Sequence, residues 1–147
     1  MYSNKNKKEE KEIVKRNFEE IKREIVRETP DWKRLLKDGG LIDQITQTKY
    51  FHDSLKTTQL RKFFDVVKNI DYRLQRESWE KLEPELWQIV PAIKYAKGRN
   101  NVPEEFADFV SKMVEKITDS EDPKQIFLNF ERVFESIVAY HKYHGGK

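Results

Sequence analysis

The sequence predicts an all-α protein, a compact bundle of about five helices in one domain. Three observations carry this. Apolar residues recur at three- and four-residue steps through most of the chain; proline or capping residues open those runs and glycine closes them; and no stretch alternates apolar and polar residues between the turns a sheet requires. A chain of 147 residues can bury about two-thirds of its unfolded surface around a single core. No repeat or linker divides it. The expected organisation is a frayed polar tail over residues 1–10 and one helical domain over 11–147.

Ile13, Val14, Phe18, Ile21 and Ile25 mark one face of a long first helix, which ends before Thr29-Pro30 because the residue before a proline resists the helical region. Residues 31–36 suit a short helix stopped by Gly39-Gly40. Residues 41–56 are ambiguous, since Leu41, Ile42 and Ile45 suggest a helical turn while Thr46, Thr48, Tyr50 and Phe51 lean towards strand. A loop with helical turns is expected there.

Residues 57–70 form the most strongly specified segment. Thr57 or Thr58 can cap it, and Leu60, Phe63, Phe64, Val67 and Ile70 then line one face. Arg61 and Lys68 fall along one edge of that face with Asp65 between them, and Lys62 falls on the opposite edge. Trp79, Leu82, Leu86, Ile89, Val90, Ile93 and Ala96 resume helical spacing, with Pro84 and Pro91 predicting a kink near residues 87–91 and a stop at Lys97-Gly98. Pro103-Glu104-Glu105 opens a fourth helix with Phe106, Phe109, Val110, Met113 and Ile117 inward. Asp122-Pro123 opens a fifth with Phe127, Phe130, Phe134, Ile137, Val138 and His141 on one face, and Gly145-Gly146 ends it.

Composition narrows the chemistry. There is no cysteine, and the five glycines lie in no phosphate-cradling spacing. The carboxylates sit in polar runs and helix starts. His141 and His144 share a helix end without a third ligand, and His52 is far away in sequence, so a metal-dependent hydrolase would need the fold to gather all three. No catalytic residue, metal or cofactor is expected. No apolar run approaches the roughly 20 residues of a membrane span, so no membrane partner and a cytoplasmic setting are expected.

Charged residues make up 37% of the chain, above the roughly 25% of an average domain, yet the net charge is only +3. The basic surplus falls at the front and middle, within residues 1–30, 31–62 and 84–101, and residues 102–147 are acidic. This points to a local anion-binding surface rather than a generally basic protein. Lys94, Lys97 and Arg99 surround the Gly98 stop, where cations also complement the helix dipole; with Arg61, Lys62 and Lys68 they could instead follow a phosphate backbone without reading bases.

Three stretches then suggest a family. The sequence KTTQLRKFF from Lys56, IKYAKGR from Ile93 and FESIVAYHKYHGG from Phe134 resemble, in order and spacing, the signature stretches of the small subunit of the Csm, type III-A, CRISPR–Cas effector complex. The resemblance covers nearly all of the chain after residue 40. It implies an all-helical, non-catalytic subunit, present in more than one copy, that stacks beside the repeating backbone subunits and lines the groove holding guide RNA and target RNA, while other subunits carry out cleavage and signalling. The implied partners are the guide and target RNA backbone, other Csm subunits and further copies of itself. Carried onto this sequence, it marks Gln59, Arg61 and Lys62, with Lys97 and Arg99, as RNA or neighbour contacts; Lys68 and Lys94 complete the expected basic surface. The competing reading is a helical protein–protein adaptor with no RNA contact, assembled through aromatics such as Trp32, Trp79 and Trp87.

Overall fold

The computed structural model describes residues 1–146, which contain nine helices and no strand. They are α1 (Asn4–Ile25), α2 (Trp32–Leu36), α3 (Leu41–Thr46), α4 (Lys49–Ser54), α5 (Thr57–Arg73), α6 (Trp79–Trp87), α7 (Ile89–Gly98), α8 (Glu104–Thr118) and α9 (Pro123–Tyr143). The all-helical class and single core stand; about five helices is corrected to nine. The excess arises where local signals were weakest. Residues 41–56 form two short helices, with Thr48 capping α4 by accepting the Phe51 N–H at 3.2 Å, and the expected kink at 87–91 is a break between α6 and α7 at Gln88.

Other boundaries shift for identifiable reasons. The chain is helical from Asn4, inside the stretch expected to be a frayed tail, because Ser3 and Asn6 form a reciprocal capping box that satisfies two orphan N–H groups. Lys56, not Thr57 or Thr58, occupies the cap of α5 and gives no side-chain bond; Thr57 lies inside the helix with its hydroxyl buried and unpartnered. α7 ends at Gly98 as expected, with Arg99 at its cap, and Asn100 then turns the chain away in the left-handed region at φ 60°, with its N–H on Lys97 O and the Asn101 N–H on Ala96 O, both at 2.9 Å. Asparagine tolerates that conformation almost as glycine does. Gly145 closes α9 in the same way at φ 85°.

The core is built on phenylalanine. Phe18 of α1 stacks on Phe109 of α8 with centroids 4.6 Å apart and also meets Phe51 and Phe106. Phe106 continues edge-on to Phe134 of α9, which carries the chain of rings to Phe130 and Phe64. Burial of Val14, Phe18, Ile21 and Ile25 makes α1 part of this core, against α3, α4 and α8. Buried polar groups are tied to backbone: Asn129 Nδ2 donates to Ile25 O at 2.9 Å and Asn17 Nδ2 to Leu41 O at 3.3 Å.

Candidate nucleic-acid interface

The two basic segments lie on neighbouring helices. α5 and α7 pack in opposite directions around a shallow groove lined by Lys62, Phe63, Asp65, Val66 and Asn69 from α5 and by Gln88, Ile89 and Ala92 from α7 and its start, with Glu85 of α6 at the far end. A backbone bond fixes the near end: the Lys56 N–H donates to Asn101 O at 3.0 Å, tying the start of α5 to the exit of α7. The cations at the start of one helix therefore meet those at the end of the other.

At about 100° per residue, each helix divides its candidates between two edges. Lys62 is on the groove edge of α5, and Gln59, three residues earlier, shares that edge and is half-buried. Arg61 and Lys68 share the other edge, which faces α9. There the Lys68 ammonium lies 3.5 Å from Glu131 Oε2 and 5.9 Å from the centre of the Phe64 ring. Lys68 is thus already paired. On α7, Arg99 follows Ala92 by seven residues and returns to the groove edge, whereas exposed Lys94 and half-buried Lys97 occupy the edge away from α5.

By helical position, Gln59, Lys62 and Arg99 fall on the groove side of their helices, towards the Lys56–Asn101 end. Lys94 and Lys97 lie over the ridge of α7, and Arg61 and Lys68 over that of α5. Among the described residues, Arg61, Lys62, Lys94, Lys97 and Arg99 make no ion pair, and no bridge joins Arg61 to Asp65. The far end of the groove is different. Arg73 bonds Glu77 and Glu85, each at 2.6 Å, and hydrogen bonds from Arg73 and Lys81 hold the Glu77 carboxyl down at about 2. The unpaired cations lie towards the Lys56–Asn101 end, with Asp65 lining the groove beside Lys62.

Sequence reasoning missed Tyr95. Its ring is 66% exposed, and it sits between Ala92 and Arg99 on the groove edge. Arg99 Nη1 donates to the Tyr95 hydroxyl at 3.3 Å, with the guanidinium 5.8 Å from the ring centre. The available signal was the i to i+4 spacing of Tyr95 and Arg99 on one face of a helix end.

The histidines do not converge. His141 is buried, and its Nε2–H donates to Leu55 O at 2.9 Å; burial lowers its pKa, so the ring is neutral. The ring is also pressed by Gly146, where a β-carbon would lie 2.0 Å from Cε1. His144 Nε2 meets Asp43 Oδ1 at 2.6 Å and His52 Nδ1 meets Asp53 Oδ1 at 2.9 Å. No group of three or more His, Asp or Glu side chains among the described residues could hold a metal ion. No helix among them is long and apolar enough to cross a membrane.

The family model of Csm2, type III-A, matches residues 39–147. The chain belongs to the Csm2 family. It is a small subunit of a type III-A CRISPR complex, and the match takes in α3 to α9, including both basic helices and the groove between them. The remaining helices of this Csm2 chain, α1 and α2, lie before the matched region. No curated protein and no solved structure matches it.

Proposed function

We propose that this Csm2 chain is a non-catalytic positioning subunit that holds the guide and target RNA backbone without sequence preference and stacks with further copies of itself and other Csm subunits, in the cytoplasm, during antiviral defence. The observation that supports it is the bond from Lys56 to Asn101, which brings the start of α5 to the exit of α7, so that Lys62 and Arg99 fall towards one end of the groove with Arg61, Lys94 and Lys97 on the adjoining ridges, none in an ion pair among the described residues although Asp65 also lines the groove. Unpaired cations on rigid helix ends fix phosphates and carry no base information. Lys68 contributes only by leaving Glu131.

Four such contacts to single-stranded RNA give a log–log slope of binding against salt of about −3. Combined substitution of Lys62, Lys97 and Arg99 by alanine should flatten that slope by about 2 and weaken binding at least tenfold at low salt. Filter binding across a salt series measures both. A slope unchanged by the triple substitution, with assembly lost instead on replacing the exposed Trp87, favours the adaptor with no RNA contact.

A further inference from the structure

We propose that the mouth of the α5–α7 groove receives an unpaired nucleotide of an RNA strand, its base stacked on the Tyr95 ring and its phosphate on Lys62 and Arg99; this rests on the RNA-backbone reading above. Three features of the site converge on a nucleotide rather than a bare phosphate.

The first is the ring itself. An exposed tyrosine on the last turn of a helix, steadied by Arg99 through its hydroxyl and its π-face, keeps one face open to solvent. Aromatic rings in such positions stack bases of any identity, because every base has a π-face. The second is the surface beside it. Val66, Ile89 and Ala92 give the groove an apolar floor, while Lys62 supplies positive charge at its rim. The third is selectivity of position. Tyr72 is also exposed and carries Arg76 over its ring at 4.9 Å, but it lies beyond Asn69 at the far end of the groove, next to Arg73 and the Glu77 and Glu85 carboxylates that Arg73 binds. Tyr143 meets the His144 ring edge-on at 5.0 Å, with no basic groove beside it. Among the described residues, only Tyr95 combines an exposed ring with the apolar floor and with Lys62 and Arg99, which make no ion pair.

A ring stacks on a base only where neighbouring bases do not already cover it. The site therefore favours single-stranded or extruded nucleotides over a continuous duplex. Charge and stacking separate by experiment, since tyrosine releases no counterion.

The test uses the full chain with a fluorescent 12-nucleotide oligouridylate, the same length of RNA duplex, and an abasic ribose–phosphate strand. Tyr95→Ala should weaken oligouridylate binding about tenfold with an unchanged salt slope, Tyr95→Phe should bind like the parent, and neither substitution should alter duplex or abasic binding. Circular dichroism checks the fold of each variant. If Tyr95→Ala binds oligouridylate as the parent does while Lys62→Ala and Arg99→Ala weaken it, the stacking site is wrong and the backbone reading survives. If Tyr95→Ala weakens abasic and oligouridylate strands equally, the tyrosine acts by positioning Arg99 and the base site is likewise rejected. Failure of the parent to bind any of the three overturns both.

Discussion

Glu131 shows how one side chain links stability to pH. Only 7% exposed, it lies between α9 and α5, where burial and the neighbouring Asp71 carboxyl push its pKa up to about 7 against the partial relief of Lys68. Its Oε2 has no hydrogen-bond partner within the described residues, although the Lys68 ammonium lies within 3.5 Å. Because the folded state holds this proton more tightly than the unfolded chain, the stability it contributes is present at low pH and is lost as pH rises from about 4.5 through about 7. His141 acts with the opposite sign: its lowered pKa favours the folded state above the ordinary histidine value and withdraws that support as pH falls. Glu131→Gln separates the two. It should raise Tm by about 2–6 °C at pH 8 and leave it nearly unchanged at pH 5, read by thermal denaturation at the two pH values. An equal shift at both would mean that Glu131 is ionised throughout. That His141 turns towards the core was legible from its place on the apolar stripe; the Glu131–Asp71 contact was not, because the two residues lie on helices far apart in sequence.

At the level of elements, the family match and the physical unit do not coincide. The match begins at residue 39, yet α1 places Phe18 against Phe51, Phe106 and Phe109, and its buried Glu24 carboxylate accepts the Asp31 N–H at 2.6 Å. Losing four fully buried apolar side chains of α1 removes about 1.5–3 kcal/mol each, comparable in sum with the whole stability of an average domain. A chain cut to residues 39–147 should therefore show no cooperative thermal transition and should expose apolar surface to a hydrophobic dye. A sharp transition near that of the full chain would show α1 to be an appendage. The long helices and their inward faces were readable from the 3.6-residue period, while the short α3 and α4 and several helix ends were not. Caps depend on which side chain reaches which N–H, and Lys56 took the place that spacing alone assigned to Thr57 or Thr58, whereas the stop at Lys97-Gly98 was readable.

Across the whole molecule, positive charge is concentrated by cancellation elsewhere. The α1–α8 groove carries Lys11, Lys15 and Lys22, but Glu12, Glu19, Glu104, Glu105 and Asp108 line it as well, and Lys22 lies 2.7 Å from Glu19. Such a mixed surface creates little net field for a polyanion. Replacing Lys11 and Lys15 together by alanine should leave the salt slope of RNA binding within about 0.5 of the parent, measured in the same filter-binding series; a loss as large as that of the triple variant would move the interface to the N-terminal helix. The sequence by itself determined that the chain is all-helical, which face of each long helix turns inward, and that its basic surplus lies in the front and middle of the chain, since periodicity and composition are local properties. Only the tertiary structure decided which edge of α5 meets α7 and which meets α9. That choice pairs Lys68 with Glu131, leaves Lys62 beside the Arg99 end and opens Tyr95 to solvent, because it is set by packing between helices that no local pattern encodes.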